Sequence, residues 1–344
     1  FEYFLHENYG LERRLRARRG DKNFEMNHRA ILGTVAQQCR GVGHIYEIDA
    51  TIADVTVVSS LNRADIIGRP TLYYVIDRHS RLIVGWYVGL ESPSWSAALQ
   101  AIFSIAQDKQ LLCQRLGITY DPEHWPAHGI MPENLYADRG EAMSVEAQRL
   151  CSGLETTVVN LPACRPDWKP LVEGRFKLIH QSMADSVPGY NPASNAVKRR
   201  ATDFSIEACL TIEEFEAVIV QSIITHNRSI MPAYELNVQQ LTDKVQPSPI
   251  NIWNHSIASR SGRLSQHTES ALRIALLPEA RGSISGRGIL VNGCYYMPTN
   301  GRQDLFIQGR QRRVPVQVTY DRRRVDTVYV HDAESPGGYF IATL

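Results

Sequence analysis

The first long β-prone stretch of the chain lies between residues 45 and 58, after a polar, arginine-rich segment that covers residues 1–40. Its alternation of apolar and polar positions places Glu47, Asp49 and Thr51 on one face of a predicted strand. Two further β-prone stretches flank the polar turn DRHSR, a pattern typical of a hairpin. Three consecutive antiparallel strands are therefore predicted.

Helical and strand patterns alternate after this hairpin. We predict a helix that starts at Ser94 or Ser96 and ends at Gly117, a short strand at NLYADRG, a helix at SVEAQRLCSGL, a strand at ETTVVNLP and a helix from about Pro170. A last helix, TIEEFEAVIVQSIITHN, begins with a capping-box spacing. The order βββ, α, β, α, β, α predicts an α/β (α+β) fold, a mixed sheet with helices packed on it.

The C-terminal part of the chain has a different pattern. Residues 238–283 are polar and irregular, with one short predicted helix at HTESALRIALL. From Gly288 the stretches GILVNGCYYMP, LFIQG, RVPVQVTYD and VDTVYVHD are separated by turn signals, which predicts a small β-barrel. We therefore expect four regions: a basic linker or the tail of a domain not included (1–40), the sheet domain (41–237), a linker with a short helix (238–283) and the barrel (284–344).

Composition narrows the class of protein. The fractions of apolar (43%) and charged (21%) residues are ordinary for a soluble globular protein, and no apolar run is long enough to span a membrane. The six cysteines form no CxxC pair, and the sequence shows no signal-peptide pattern, so we expect reduced thiols in a cytosolic protein.

The net charge of +1 is unevenly distributed. Residues 1–40 carry +3, residues 256–344 carry +5, and the middle of the chain carries −7. Basic flanks around an acidic centre suit a protein that contacts a polyanion at its edges and holds metal cations in its middle. Chance asymmetry on a solvated surface is the alternative.

Three acidic residues occupy unusual positions. Asp49 lies inside an apolar strand, Asp138 ends a short strand, and Glu173 lies one turn into a predicted helix. A carboxylate in a strand is costly to bury without compensation, and a divalent cation such as Mg²⁺ provides it. Two strand ends and a helix start can converge at one edge of a sheet, as a two-metal site requires, with metals about 3.5–4 Å apart.

Each acid has a structural alternative when it is taken alone. Asp49 could be a satisfied structural carboxylate, Asp138 an ordinary turn residue, and Glu173 a first-turn residue favoured by the helix dipole. Asp77, in the hairpin turn, is interpreted as structural. The three acids indicate a metal site only as a set.

The set resembles a known pattern. The order Asp49, Asp138, Glu173, with Glu173 placed 35 positions after Asp138, is similar to that of DDE transposases and retroviral integrases. The stretches YEIDATIADV, IIGRPTLYYVIDRHSRLIVGWYVGLESPSW, ADRGE and KPLVEGRF resemble the TnsB-like transposases, relatives of the phage MuA transposase. The resemblance runs from about residue 13 to the C-terminus. It implies a ribonuclease H-like catalytic domain followed by a small β-barrel, with a DNA-binding domain missing before residue 1.

The resemblance also implies an activity, a metal-dependent DNA transposase. Water would hydrolyse the phosphodiester at each transposon 3′ end, and the freed 3′-OH would attack a target phosphodiester, without a covalent protein intermediate. Asp49, Asp138 and Glu173 would hold two Mg²⁺ ions, which Mn²⁺ could replace. The implied partners are transposon-end and target DNA, further copies of the chain in a synaptic complex, a TnsA-like endonuclease and a TnsC-like AAA+ ATPase. The implied location is the bacterial cytoplasm, on DNA and away from membranes.

Several basic residues are candidates for DNA contact. On the predicted helix of Glu173, Lys177 (i+4) and His180 (i+7) share its face, and retroviral integrases are similar at these two offsets. Lys177 could instead pair with Glu173, and His180 could be a plain surface residue. Arg139 could contact DNA or only stabilise its turn. The loop residues Lys198, Arg199 and Arg200 could contact phosphate or only be solvated. Arg322, Arg323 and Arg324, in a predicted hairpin turn of the barrel, suit non-specific contact with the DNA backbone.

Two other functions remain open at this point. One is a ribonuclease H-like nuclease that hydrolyses DNA without joining it, and the other is a non-catalytic DNA-binding subunit. A pre-cut 3′-OH end supplied with a target plasmid distinguishes the nuclease, since only a transposase gives joined product. The presence of all three acids argues against the non-catalytic subunit.

Overall fold

A computed structural model of the protein describes residues 4, 7–28, 39–137, 154–160, 187–190, 207–260, 264–299, 302–321 and 324–344. The predicted helix from Pro170 and nearly all of the predicted helix at SVEAQRLCSGL lie outside these ranges. None of the helices in the described ranges is both long and apolar enough to cross a bilayer.

The described elements are fifteen strands and nine α-helices. The strands are β1 (Ile45–Ile52), β2 (Val57–Val58), β3 (Ile66–Gly68), β4 (Thr71–Asp77), β5 (Ile83–Gly89), β6 (Ile130–Met131), β7 (Asn134–Ala137), β8 (Thr157–Asn160), β9 (Ser265–Gln266), β10 (Glu279–Ser285), β11 (Gly288–Val291), β12 (Cys294–Pro298), β13 (Val314–Asp321), β14 (Arg324–His331) and β15 (Tyr339–Thr343). The helices are α1 (Leu11–Arg19), α2 (Asp21–Asn27), α3 (Trp95–Phe103), α4 (Lys109–Leu116), α5 (Ile212–Arg228), α6 (Val238–Thr242), α7 (Pro249–Arg260), α8 (Glu269–Leu276) and α9 (Gln303–Gln311).

A five-stranded mixed sheet forms the centre of the larger part of the molecule. Its order is β5-β4-β1-β7-β8, in which β5, β4 and β1 are antiparallel neighbours and β1, β7 and β8 are parallel. This order, with these directions, is that of a ribonuclease H-like sheet. The predicted fold class, including the three antiparallel strands, is confirmed.

Both faces of this sheet are covered. One face packs against α3, α7 and α8, and the other packs against α4 and α5. Helix α3 is buried on nearly every side because α8 packs on it from outside, which explains why its sequence is mostly apolar. Thr211 caps α5 in the predicted capping box with Glu214. The sheet therefore lies in an apolar interior.

The single helix predicted from Ser94 to Gly117 is wrong in its middle, because the structure has two helices there. Ser94 caps the first and Gly117 ends the second in a left-handed conformation, as predicted. Between them Asp108 accepts two backbone N–H bonds, at 2.8 and 3.0 Å, and starts α4. The ammonium group of Lys109 donates to the carbonyl of Ser104 at the end of α3. These two side chains cap the ends that the break exposes.

The region predicted as largely irregular contains a twelve-residue helix, α7, that the sequence analysis missed. Its start has a recognisable signal, since Pro249 occupies the first helical position and the Ser248 hydroxyl accepts from the backbone N–H of Asn251 at 3.4 Å. Trp253, at the centre of α7, is fully buried against the sheet core. The predicted helix at HTESALRIALL is confirmed as α8.

The C-terminal barrel is closed by six strands in the order β10-β11-β12-β15-β14-β13. The prediction of a barrel is confirmed, but the stretch LFIQG is a helix, α9, rather than a strand. Leu305 and Phe306 pack against the barrel core, and Gly309 lies so close to β10 that an added Cβ would be 3.0 Å from the Cα of Ser285. The consecutive apolar residues Leu305, Phe306 and Ile307 are too few to show a periodicity that distinguishes a helix from a strand.

Candidate active site

Asp49 lies at the point where the central strand leaves the interior. The first four residues of β1 are buried, the next three, from Asp49, are partly exposed, and Ile52 is exposed. Directly opposite Asp49 on β4 lies the fully buried Tyr74. The Asp49 carboxylate accepts a hydrogen bond from the backbone N–H of Ala50 at 3.0 Å. This carboxylate is therefore partly desolvated and still within reach of a ligand.

The strand beside Asp49 leads directly to the second predicted acid. Strand β7 runs parallel to β1 with Ile45 opposite Asn134 and Glu47 opposite Tyr136. It ends at Ala137, the residue before Asp138 in the chain. Asp138 itself lies outside the described residues. What the structure shows is that the strand preceding Asp138 is the neighbour of the strand that carries Asp49.

Most other predicted site residues lie outside the described ranges. They are Arg139, Glu173, Lys177, His180, Lys198, Arg199, Arg200, Arg322 and Arg323. Arg324 begins β14, but its side chain is not described. Within the described ranges no group of three or more His, Cys, Asp or Glu side chains could hold a metal ion. The roles assigned to these residues stay predictions.

A buried ionic group lies next to Asp49 on the same face of β1. Glu47 is fully buried and its carboxylate lies 3.3 Å from the guanidinium of Arg78, which is 1% exposed. The same guanidinium lies 5.3 Å from the ring centroid of Tyr136 on β7. We call Glu47, Arg78 and Tyr136 the strand bridge, because together they connect β1 and β7 immediately before the two positions of interest.

The strand bridge was not recognised from the sequence. Glu47 was placed correctly on the face of Asp49, and its position in an apolar strand was a signal that a partner must exist. Arg78, however, was part of the polar turn DRHSR, where an arginine is ordinary. Only the fold brings residue 78 beside residues 47 and 136.

Asp77 has the structural role that was predicted for it. Its carboxylate is fully buried and accepts from the backbone N–H of Gly43 at 3.0 Å and from the N–H and hydroxyl of Ser80 at 2.7 and 2.6 Å. Burial raises the pKa of Asp77 to about 6, against the opposing effect of these hydrogen bonds. Asp77 lies opposite Tyr46, whose side chain belongs to the other face of β1. Asp77 closes the hairpin and takes no part in the face of Asp49.

Comparison with known protein families gives a consistent result. Residues 47–189 match the family model described as the TnsB C-terminal domain. The chain is 34% identical over 334 residues to the transposon Tn7 transposition protein TnsB of Escherichia coli, covering 96% of this chain and 47% of that protein. It is 24% identical over 259 residues to the transposase for transposon Tn552 of Staphylococcus aureus, covering 74% of this chain and 46% of that protein. The chain thus spans about half the length of the curated relatives it matches.

Solved structures that are similar to the chain include two retroviral proteins. The catalytic core domain of BIV integrase aligns with a TM-score of 0.34 and 13% identity, over 64% of this chain and 99% of that one. A chain of the simian T-cell lymphotropic virus intasome, in complex with PP2A regulatory subunit B56 gamma, aligns with a TM-score of 0.35 and 12% identity, over 88% and 77% of the two chains.

Proposed function

The chain is TnsB-like in sequence, and on that premise we propose that it is the catalytic part of a DNA transposase that cuts transposon 3′ ends and joins them to target DNA. The proposed activity goes beyond the sequence similarity itself, since the curated relatives are about twice as long as the part that this chain matches. It therefore depends on the chemistry of this chain's own residues.

The observation that carries the proposal is the pairing of β1 with β7. Glu47 on β1 lies opposite Tyr136 on β7 in this parallel pairing. Asp49 follows Glu47 by two positions, and Asp138 follows Tyr136 by two positions. Since alternate residues of a strand share a face, we expect both aspartates on the face of the sheet that carries Glu47 and Tyr136. Asp138 is also one peptide unit, about 3.8 Å between Cα atoms, from the described end of β7. A pair of carboxylates at one strand edge favours a cation site.

The donor set fits Mg²⁺. Asp49, Asp138 and Glu173 offer only carboxylate oxygens, the hard ligands that Mg²⁺ prefers, and Asp49 is partly exposed as a shared ligand must be. When bound, two such ions supply charge neutralisation to the oxygens that enter and leave phosphorus. Mn²⁺ accepts the same ligands and should substitute.

The two chemical steps balance without any further reactant. In the first, the oxygen of water bonds to phosphorus and the bond to the transposon 3′ oxygen breaks, leaving a 3′-OH and a 5′-phosphate. In the second, that 3′ oxygen bonds to a target phosphorus, and the target 3′ oxygen leaves and takes up a proton. The chain's role is to orient the reacting groups and hold the carboxylates in place.

The proposed DNA contacts are the basic residues named from the sequence. We assign Lys177 and His180 to phosphate near the scissile bond, on the predicted helix of Glu173. The remaining basic residues are assigned to non-specific backbone contact, with an affinity that falls steeply with salt: Arg139, Lys198, Arg199, Arg200, Arg322, Arg323 and Arg324. In the same proposal the chain assembles with further copies of itself on two DNA ends, and works with a TnsA-like endonuclease and a TnsC-like AAA+ ATPase in the bacterial cytoplasm.

A joining assay tests the proposal. Pre-cut 3′-OH ends from the element that encodes the chain are incubated with the protein, a target plasmid and Mg²⁺, under conditions that assemble both ends in one complex. Joined product is expected from the wild type and not from Asp49→Asn, Asp138→Asn or Glu173→Gln, while all three variants still bind DNA. Asp65→Asn is the matched control, because Asp65 is an exposed turn carboxylate that accepts from the Asn62 side-chain amide at 3.0 Å.

The alternatives give different products in the same assay. Nicked DNA without joined product would identify a nuclease. Stable end complexes without any Mg²⁺-dependent change in the DNA would identify a non-catalytic subunit. Full joining by any one of the three acid variants would refute the role of that residue.

A further inference from the structure

The strand bridge occupies a specific place relative to the proposed metal ligands. Glu47 precedes Asp49 by two residues, and Tyr136 precedes Asp138 by two residues. The guanidinium of Arg78 contacts both, at 3.3 Å from the Glu47 carboxylate and 5.3 Å from the Tyr136 ring centroid. Two residues along a strand correspond to about 7 Å. The Arg78 side chain therefore contacts both strands two residues before the proposed metal ligands, Asp49 and Asp138.

The backbone that carries Arg78 is itself held firmly. The N–H of Arg78 donates to the carbonyl of Ile45 at 2.9 Å, so the hairpin turn is joined to the start of β1. Asp77 closes the turn through Ser80, and the Tyr234 hydroxyl donates to the carbonyl of His79 at 2.9 Å. The guanidinium therefore extends to the β1–β7 pair from a turn that Asp77 closes and that Ile45 and Tyr234 hold in place.

Stability alone does not account for this arrangement. Glu47 and Arg78 are both almost completely desolvated. The desolvation of a buried ion pair offsets much of its attraction, and apolar side chains of similar volume often do as well or better at such positions. Ile45 and Ile48 on β1 and Ile76, which lies opposite Glu47 on β4, are apolar and buried, so an apolar replacement of Glu47 has apolar neighbours. The planar guanidinium of Arg78 contacts both β1 and β7, and its rigid shape instead offers a defined geometry between the two strands.

We propose that Arg78 is a positioning residue, which acts through Glu47 and Tyr136 to hold the ends of β1 and β7 at the separation that the shared metal ions require. The inference rests on the proposed function, because it assumes that Asp49 and Asp138 bind those ions. Arg78 touches neither DNA nor metal in this scheme. It sets the distance between the two strands from which the ligands project.

The test uses variants of the whole chain that separate geometry from stability. Glu47→Met combined with Arg78→Met makes the bridge apolar without leaving a lone buried charge. Arg78→Lys keeps the charge and loses the planar fork. The control pair is Arg115→Met with Glu216→Met, which removes another largely buried Arg–Glu contact, 2.9 Å long, that joins α4 to α5 away from β1.

Two quantities are measured on each folded variant: Mn²⁺ affinity, from the electron paramagnetic resonance signal of free Mn²⁺, and the Mg²⁺ midpoint of strand joining. Thermal unfolding confirms the fold. Changes in groups that orient metal ligands typically lower metal affinity by about 10- to 100-fold. We expect at least a tenfold loss of Mn²⁺ affinity and a matching rise in the Mg²⁺ midpoint for the apolar bridge, a smaller loss for Arg78→Lys, and neither change for the control pair.

The inference is overturned if the folded apolar bridge keeps the wild-type Mn²⁺ affinity and Mg²⁺ midpoint. If the apolar bridge does not fold, Arg78→Lys decides, and wild-type values for that variant overturn the inference. A wild-type chain that neither binds Mn²⁺ nor joins DNA is a different result, since it removes the proposed function and the inference falls with it.

Discussion

The sheet and the barrel of this chain place their charged residues under opposite conditions. Every residue of β4 and β5 is buried, since helices cover both faces of the sheet. The barrel strands alternate instead, as in β15, where Phe340 and Ala342 are buried and Ile341 and Thr343 are exposed. A charge in the sheet must therefore have a local partner, whereas a charge on the outside of the barrel is solvated at little cost. A charged residue is therefore a stronger indication of function in the sheet than in the barrel.

The residues of the two regions follow this rule. In the sheet the Glu47 carboxylate lies 3.3 Å from the Arg78 guanidinium, and the Asp77 carboxylate accepts hydrogen bonds from Gly43 and Ser80. In the barrel Arg281 and Asp326 are exposed on the outer surface. Asp49 is the instructive case, because it stands in the sheet at the boundary with solvent. Its position is what a ligand for a cation needs.

The largest expected contrast concerns activity. Asp49→Asn should lower the rate of strand joining by about a thousandfold or more, since a lost metal ligand removes several kcal/mol of transition-state stabilisation. Asp326→Asn, in the barrel, should leave the rate unchanged. Joining rates at saturating Mg²⁺, with DNA binding measured by gel shift, check both. Equal losses in the two variants would contradict the contrast.

A large contrast in stability is expected from single arginine changes. Arg78→Met leaves Glu47 buried without its guanidinium and should lower the free energy of unfolding by about 3–5 kcal/mol. Arg281→Met, on the exposed side of β10, should leave the free energy of unfolding almost unchanged. Urea denaturation followed by circular dichroism measures both. A mild effect of Arg78→Met would show that Glu47 finds other compensation.

The two regions should also respond to pH with opposite signs. The pKa of Asp77 is raised from 3.8 to about 6, so the folded state holds its proton while the unfolded state loses it. Its contribution to stability is complete below pH 3.8 and is lost as pH rises to about 6, by up to about 3 kcal/mol. In the barrel, the hydrogen bond from Arg302 lowers the pKa of Asp304, so its contribution is present above pH 3.8 and is lost as pH falls.

Single asparagine variants check these signs. The stability of the wild type relative to Asp77→Asn should decrease between pH 4 and 6. The stability of the wild type relative to Asp304→Asn should decrease below pH 4, by a smaller amount because that pair is exposed to solvent. Chemical denaturation across this pH range gives both differences, and slopes of the same sign would contradict the assignment.

The smallest effect concerns the helix that covers the sheet. Thr211 caps α5, and its side chain accepts from the backbone N–H of Glu214 at 3.3 Å. Thr211→Ala should lower the free energy of unfolding by about 1 kcal/mol, while Thr211→Ser should retain most of the cap. Helix α9 of the barrel begins at Gln303, and the preceding residue, Arg302, makes no side-chain cap, so this helix offers no equivalent site. Thermal unfolding of the two variants measures the difference.

The local elements were determined largely by the sequence. Alternation predicted β1, the turn residues predicted the hairpin of β4 and β5, and the capping box predicted α5. These signals act between residues close in the chain, so they need no knowledge of the rest of the fold. The errors fall where local signals are ambiguous, as in the apolar stretch that forms α9 and the break at Asp108 between α3 and α4.

The features of the candidate site likewise divide into those that the sequence predicted and those that only the fold decided. The sequence alone singled out Asp49 and placed Glu47 beside it on one face of a strand, because both follow from the twofold period of β structure. The tertiary structure decided that β7 is the parallel neighbour of β1, and that Arg78 reaches across both. Those contacts join residues 31 and 58 positions apart in the chain, and such pairings depend on how whole elements pack rather than on the residues next to them.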